Sequence, residues 1–151
     1  MDILSPRWRE RYLTKADAWA KDCSKDPSSQ VGCILVSDDG AELSTGYNGL
    51  PRGVQDLDQR ISQRPEKYLW MAHAEENAIT NAARHGVRLQ GATAFVTFAP
   101  CSRCAGMLIN AGVATVVYRD AQTRMPADEW RVAQAKFSEA GVKLICEPAP
   151  A

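Results

Sequence analysis

Two short fragments of this 151-residue chain carry side chains that could bind a metal ion and move a proton. One is His73-Ala74-Glu75, and the other is Pro100-Cys101-Ser102-Arg103-Cys104. His73, Cys101 and Cys104 are ligand types that zinc prefers, and three protein ligands leave one position of a tetrahedral site for water. Glu75 is not needed as a ligand, so it is available to accept a proton from that water. The two fragments together predict a catalytic zinc site.

A Cys-x-x-Cys pair alone has two other interpretations. A redox pair would require a disulfide between Cys101 and Cys104, and a structural zinc site would require a fourth ligand. The remaining cysteines are single, and His85 precedes Gly86 at a predicted helix end, where a cationic imidazole suits the helix dipole. The order His-x-Glu followed by Pro-Cys-x-x-Cys is instead the signature of zinc-dependent deaminases.

Hydrophobic periodicity and turn residues predict the elements that position these fragments. A first helix starts at Ser5-Pro6 and turns Trp8, Tyr12, Ala16 and Trp19 toward a core. The region Val54–Leu69 is predicted as a long loop with room for a short helix. The other predicted elements are helices over 73–84, 101–111 and 126–141, and strands over 31–36, 43–47, 92–98, 113–118 and 142–146.

This element order predicts an α/β fold with a three-layer α-β-α architecture and a five-stranded mixed sheet. Alternation of strands and helices after the first hairpin requires helices on both faces of the sheet. The connection between Tyr118 and Val142 is long enough for a helical crossover, so strands 4 and 5 should be parallel. We expect a single domain over residues 1–151, because length and pattern give no second unit.

Composition limits the partners and the compartment. Eighteen basic and eighteen acidic residues give no net charge, which disfavours a polymeric nucleic acid partner. Five cysteines are an odd number, and the charged first segment has no secretory signal. No apolar stretch is long enough to span a membrane. We therefore expect a reduced, cytoplasmic protein, with Cys33 and Cys146 as small core residues of apolar strands.

Four stretches resemble the deoxycytidylate (dCMP) deaminases of the zinc-dependent cytidine and deoxycytidylate deaminase superfamily: Ser24–Gly32, Ser44–Gly53, His73–Ile79 and Phe95–Ala105. This resemblance implies a cytidine deaminase-like fold and hydrolysis of dCMP to dUMP and ammonia, which feeds thymidylate synthesis. It also implies one Zn²⁺ per chain held by His73, Cys101 and Cys104, with Glu75 as the catalytic residue.

The resemblance further implies which residues bind the nucleotide. Asn48 should contact the sugar or base, and the backbone near Ala74 and Ala99 should hold the pyrimidine. Lys25, Ser28 and Ser29 are candidates for the 5′-phosphate. An equal alternative for these three is a polar turn between a helix and a strand.

Regulation and assembly are also implied by the resemblance. In this family the Gly46-Tyr47-Asn48-Gly49 region lies near an allosteric site for dCTP, an activator that acts with Mg²⁺, and for dTTP, an inhibitor. The enzyme is then expected to be a homo-oligomer, a hexamer by resemblance. Ordinary turn glycines are the alternative interpretation of Gly46 and Gly49.

Two other functions stay open at this stage. A tRNA adenosine deaminase, or another nucleobase or nucleotide deaminase of the superfamily, is favoured slightly by Cys104-Ala105-Gly106-Met107 and disfavoured by the charge balance. A zinc-stabilised binding module without catalysis would have no use for Glu75. The stretch 54–72 contains neither Cys nor His, which predicts a single zinc, and Glu76 has no assigned role.

Overall fold

The computed structural model describes residues 1–120 and 125–149. The predicted 1–151 domain therefore includes residues 121–124 and 150–151, which lie outside the described part. The elements are α1 (Pro6–Cys23), β1 (Gly32–Val36), β2 (Glu42–Tyr47), α2 (Asp58–Ile61), α3 (Lys67–Trp70), α4 (Ala74–Arg84), β3 (Thr93–Val96), α5 (Ser102–Asn110), β4 (Thr115–Asp120), α6 (Ala127–Ala140) and β5 (Lys143–Pro148).

The five strands form one mixed sheet in the order β2-β1-β3-β4-β5. β1 is antiparallel to both β2 and β3, with Cys33 opposite Val96. β3, β4 and β5 are parallel to one another. The predicted mixed sheet with parallel strands 4 and 5 is confirmed.

Successive residues of the strands supply the two faces of the sheet, as pleating requires. Ile34 and Val36 of β1 pack with Phe95 and Val117 against α1 on one face. Cys33 and Leu35 belong to the core on the other face, which α4, α5 and α6 cover. The predicted α-β-α layering is confirmed.

Two predicted core residues are exposed. Trp19, on the predicted core-facing stripe of α1, is 46% exposed, and its ring meets the edge of Tyr47 at a centroid distance of 6.4 Å. Cys146 is also exposed, whereas Cys33 is buried. The prediction for Cys146 is wrong because β5 is the edge strand of the sheet, with β4 as its one neighbouring strand among the described residues.

The segment predicted as a long loop contains two one-turn helices, α2 and α3. An isolated antiparallel bridge joins Gly49 and Ala72, the residues that flank the stretch 50–71 containing both helices. The two backbone hydrogen bonds measure 3.1 Å for Gly49 N to Ala72 O and 2.8 Å for Ala72 N to Gly49 O. The start of α4 is therefore tied directly to the end of β2.

Helix boundaries agree with the capping residues of the sequence. Ser5 caps α1, accepting from the Trp8 N–H at 3.4 Å, and Gly141 ends α6 in the left-handed conformation. His73 and Cys101, predicted as first helical residues, are the N-caps of α4 and α5. In the described part of the chain, no helix combines the length and apolarity that crossing a membrane requires.

Candidate active site and metal centre

Three metal-ligating side chains meet where α4 and α5 begin. His73 Nδ1 lies 3.6 Å from Cys101 Sγ and 3.4 Å from Cys104 Sγ. All three ligand atoms lie within 4.8 Å of one another, and theirs is the one such cluster found in the described residues. A tetrahedral zinc with ordinary bond lengths places nitrogen and sulfur ligands about 3.6 Å apart. The donor set and its spacing therefore fit Zn²⁺.

Local backbone geometry explains why these residues converge. β3 ends at Val96, and the chain then passes through the buried Pro100 to Cys101 and α5. Cys101 Sγ accepts from the Cys104 N–H at 3.5 Å, so the N-cap side chain folds back over its own helix. The positive ends of both helices favour anionic ligands at this edge of the sheet.

The closeness of the three ligand side chains changes the pKa values of both thiols and of the imidazole. Hydrogen bonding to Cys104, helped by His73, lowers the pKa of Cys101 to about 4. The shared proton and burial raise the pKa of Cys104 well above its ordinary value. The hydrogen bond with Cys101 raises the pKa of His73 to about 9. The lowered pKa of Cys101 favours its thiolate, which is the form of cysteine that binds zinc.

Glu75 lies inside the site, with only 4% of its surface exposed. Burial raises the pKa of Glu75 to about 7, while the neighbouring His73 acts in the opposite direction. The Glu75 carboxyl interacts with the thiol of Cys104 and with the buried Cys33 of β1. A carboxyl with a pKa near neutrality is suited to accept a proton and release it in the same cycle.

Glu76, next along the helix, points to a different role. Its carboxylate accepts from the His73 backbone N–H at 3.4 Å, as the third residue of a capped helix can do. The extra carboxylate noted in the sequence therefore stabilises the start of α4, which carries the His73 ligand.

The residues predicted to hold the pyrimidine flank the metal cluster. Ala74 is the first residue of α4 and is fully buried, and Ala99 is half-buried in the connection to Cys101. Gly46 of β2 packs directly on α4: a Cβ at this position would overlap the Ala74 carbonyl oxygen and the Ala78 nitrogen. Gly46 thus lets β2 approach the helix that carries Glu75.

Asn48 holds the loop that precedes β1. Its Oδ1 accepts from the Val31 N–H at 2.8 Å, and its Nδ2 donates to the Ser29 carbonyl at 2.8 Å. The Ser24 hydroxyl donates to the backbone carbonyl of Asn48 at 2.9 Å. The predicted contact of Asn48 with a nucleotide stays a prediction, and the structure gives its amide a bracing role.

The three phosphate candidates separate into two environments. Lys25 is exposed and forms an ion pair with Asp56. The Ser28 hydroxyl instead contacts Asp26, and the Ser29 N–H donates to the same carboxylate at 3.2 Å. Lys25 and the two serines therefore do not converge on a single point.

Two of the four residues assigned to an effector site line a cavity of about 240 Å³. These are Tyr47 and Gly49, which share its wall with Lys25, Arg52 and Asp56. Gly46 and Asn48 are engaged in the contacts described above, on α4 and on the loop before β1.

Several residues of this region were not singled out from the sequence: Asp26, Arg64, Lys67 and Glu129. Asp26 and Lys67 form a buried ion pair at 2.9 Å, and each side chain is 5% exposed. The Asp26-Pro27-Ser28 pattern is a turn signal that could have indicated the carboxylate. A lysine of a predicted loop carries no comparable signal.

Comparisons with known proteins agree with this site. The family model described as the cytidine and deoxycytidylate deaminase zinc-binding region matches residues 6–120, which contain the metal cluster. An uncharacterized deaminase in the luxG 3′ region of Aliivibrio fischeri is 38% identical over 149 residues, covering 94% of this chain and 95% of that protein. The deoxycytidylate deaminase of Homo sapiens is 34% identical over 140 residues, covering 89% of this chain and 76% of the relative.

Among solved structures, the dCMP deaminase of cyanophage S-TIM5, in complex with dCMP and dUMP, is similar over 95% of this chain and 99% of its own. The TM-score is 0.77 at 30% sequence identity.

Proposed function

Because the chain belongs to the cytidine and deoxycytidylate deaminase family, we propose that it hydrolyses dCMP to dUMP and ammonia. The family expected from the four sequence stretches is confirmed, and the chain is a deaminase acting on a C–N bond. The observation that carries the proposal is the buried Glu75 carboxyl beside the His73, Cys101 and Cys104 cluster. The product would feed thymidylate synthesis.

His73, Cys101 and Cys104 would hold one Zn²⁺, which supplies a Lewis acid that makes water a better nucleophile near neutral pH. Glu75 accepts a proton from the attacking water and delivers it to the ring nitrogen beside the attacked carbon. The proton of the hydroxyl now bound to the attacked carbon then passes through Glu75 to the exocyclic amino group. The carbon–nitrogen bond then breaks, ammonia leaves, and the carbon becomes a carbonyl.

Burial of Glu75 supports its two roles, in which it first accepts a proton and then donates one. With its pKa raised to about 7, the carboxyl exchanges its proton with little driving force in either direction. The backbone near Ala74 and Ala99 would hold the pyrimidine, and Asn48 would contact the sugar or base. Lys25, Ser28 and Ser29 are the candidates for the 5′-phosphate.

The proposal is tested by measuring loss of the cytosine chromophore with the zinc-loaded protein. The substrates are dCMP, CMP, deoxycytidine and 5-substituted dCMP, each with and without dCTP and Mg²⁺. We expect turnover of dCMP with stoichiometric release of ammonia. Absence of turnover on every one of them, with zinc bound, would refute the assignment.

The same assay separates the remaining alternatives. A tRNA adenosine deaminase would convert adenosine in a tRNA and leave dCMP unchanged. The balanced charge of the chain supports the small nucleotide, because a polyanion is bound mainly through basic residues. A zinc-stabilised binding module would act on neither substrate.

We extend the proposal to regulation, assembly and compartment. The cavity lined by Tyr47 and Gly49 is where dCTP with Mg²⁺, or dTTP, would bind. We also propose that the protein is a homo-oligomer, a hexamer by resemblance. Its proposed location is the cytoplasm. Two zinc thiolates and no disulfide among the five free cysteines suit a reducing compartment.

A further inference from the structure

Two half-buried asparagines of α4, Asn77 and Asn81, bind backbone carbonyl groups of strand β2. Asn77 Nδ2 donates to the Tyr47 carbonyl at 2.8 Å. Asn81 Nδ2 donates to the Thr45 carbonyl at 2.8 Å. Asparagine is a poor helix former, because its amide competes for backbone hydrogen bonds. Contacts with the sheet, rather than helix propensity, therefore explain two asparagines in a helix of 11 residues.

Both accepting carbonyls point away from β1. The Asn48 N–H donates to the Val31 carbonyl at 3.2 Å, so Asn48 turns its backbone toward β1. In an antiparallel pair, alternate residues turn their backbone groups to opposite sides, which directs those of Tyr47 and Thr45 outward. β2 is an edge strand, and among the described residues no strand lies beyond it. The amides of α4 therefore satisfy carbonyls that a further strand would otherwise take.

The spacing of the two bonds fixes the helix along the strand. Asn77 and Asn81 are four residues apart, which corresponds to about 6 Å of helix rise. Tyr47 and Thr45 are two residues apart, which corresponds to about 6.7 Å of strand. Because these lengths match, both bonds form together at one position of α4 along β2. Gly46 lies between the two acceptors and allows the close approach, since an added Cβ would overlap the backbone of α4.

The bond of Asn77 is the nearer of the two to the carboxyl that moves the proton. Asn77 follows Glu75 by two residues, and its N–H donates to the carbonyl of the metal ligand His73 at 2.9 Å. Asn81 lies one turn further along the helix. The thiol ligands belong to α5, whose first residue is held by Glu129 of α6. The position of Glu75 relative to the thiols therefore depends on how the first turn of α4 is fixed to the sheet.

The peptide unit that accepts from Asn77 is itself held on its other side. It consists of the Tyr47 carbonyl and the Asn48 N–H, which binds Val31 as described above. The Asn48 side chain adds two bonds of 2.8 Å, one to the Val31 N–H and one to the Ser29 carbonyl. Loss of the Asn77 amide would therefore leave this peptide in place and release the helix.

We propose that Asn77 is a positioning residue for Glu75. Its bond to the Tyr47 carbonyl holds the first turn of α4 where the Glu75 carboxyl meets the reacting atoms. A displacement of about 1 Å at a reacting group can cost about 100-fold in rate. Asn81 makes the same kind of bond one turn further from the site and stabilises only the packing of the helix. The inference rests on the proposed role of Glu75 in deamination.

The test compares zinc-loaded Asn77→Ala with the matched control Asn81→Ala, since each variant loses one bond of 2.8 Å from the same helix. The midpoint of urea unfolding should shift by similar amounts in both. The kcat for dCMP should fall roughly 10- to 100-fold in Asn77→Ala and stay within about threefold in Asn81→Ala. The Kd of dUMP, measured by calorimetry, should stay within about threefold in both, because Glu75 acts on the transition state. Asn77→Gln keeps an amide donor and should recover part of the loss in kcat.

A double-mutant cycle tests whether Asn77 acts through Glu75. In the Glu75→Gln background, Asn77→Ala should lower kcat by less than about twofold, because the group that it positions is already absent. An equal factor in both backgrounds would overturn the proposal, and so would equal losses of kcat in Asn77→Ala and Asn81→Ala. If either alanine variant does not fold, Asn77→Ser and Asn81→Ser provide the same comparison, since a serine hydroxyl is shorter than the amide.

Failure of the proposed function is a separate result. A wild-type protein that does not deaminate dCMP would refute that function, and the variants would then be compared on adenosine in a tRNA, the alternative substrate. A wild-type protein that deaminates dCMP, with an equally active Asn77→Ala variant, would refute only the positioning role.

Discussion

The carboxylate of Glu129 accepts hydrogen bonds from both the hydroxyl and the backbone N–H of Ser102, the latter at 3.1 Å. These bonds lower the pKa of Glu129. Lys136 Nζ donates to the Ser102 carbonyl at 2.8 Å. Helix α6 therefore holds the donor and acceptor groups of the residue that directly follows Cys101.

This contact predicts that α6 supports metal affinity without touching the metal ligands. Glu129→Ala should weaken zinc binding roughly tenfold, as loss of an outer-shell partner typically does. Competition with a chromophoric chelator measures the effect. Asp128→Ala is the matched control, because Asp128 belongs to the same helical turn and its side chain is 91% exposed. Equal zinc affinity of the two variants would contradict the prediction.

Glu75 should be required for turnover and dispensable for zinc. Glu75→Gln keeps the side-chain volume and removes the proton acceptor, so kcat should fall roughly 10²- to 10⁴-fold. Metal content measured by atomic emission should equal that of wild type. Glu76→Gln is the control, because glutamine keeps the side-chain oxygen that accepts from the His73 N–H at 3.4 Å. If the Glu75→Gln variant deaminated dCMP at the wild-type rate, the proposed role of Glu75 in proton transfer would be wrong.

The buried Asp26–Lys67 pair predicts a pH-dependent contribution to stability. Burial alone would raise the pKa of Asp26, but hydrogen bonds from Lys67 and Ser28 outweigh it and lower that pKa. The stabilisation is therefore present above the ordinary pKa of an unfolded Asp, about 3.9, and is lost as the pH falls through the lower folded value.

Asp26→Asn tests this sign. At pH 7 it should cost about 3 kcal/mol of unfolding free energy, because it leaves the Lys67 charge buried and unpaired. Urea unfolding at a series of pH values should show that the difference in unfolding free energy between the variant and wild type becomes smaller below roughly pH 4. The exposed Asp22→Asn variant controls for charge removal. If this difference in unfolding free energy grew as the pH fell, the Asp26–Lys67 pair could not be the source of the stabilisation.

Gly46 and Gly106 should respond oppositely to alanine. At Gly46 a Cβ would meet α4 backbone, with the Ala78 Cα 3.0 Å away, so Gly46→Ala should destabilise the protein by about 1–3 kcal/mol. At Gly106, inside α5, the nearest atom would be Lys136 Nζ at 3.7 Å. Gly106→Ala should be neutral or stabilise by about 0.5–1 kcal/mol. The midpoint of thermal unfolding, measured for both variants, tests this difference. Equal shifts of the midpoint in the two variants would show that β2 does not pack tightly on α4.

The metal site could be predicted from the sequence because each ligand lies in a short local pattern at the start of a helix. The sheet followed from the alternation of apolar strands and amphipathic helices. Strand order then placed both helix starts at one edge.

Other features depend on contacts between distant parts of the chain. Lys67 and Asp26 pair across 41 positions, and Ser102 and Glu129 across 27, which no local periodicity reveals. Trp19 and Cys146 have the residue types of a core, but the surface of α1 and the edge position of β5 leave them exposed. Whether a side chain is covered depends on neighbours that only the fold supplies.

The bridge between Gly49 and Ala72 closes residues 50–71 into a loop whose two ends are fixed to each other. Lengthening a closed loop costs little free energy, so residues inserted into the exposed parts of this segment should leave His73 in place, whereas Lys67 must be kept because it neutralises the buried Asp26. The thiol ligands and the carboxyl that would move the proton lie outside this loop. The fold thus lets the segment between Gly49 and Ala72 vary in length independently of the residues that would hold the metal and move the proton.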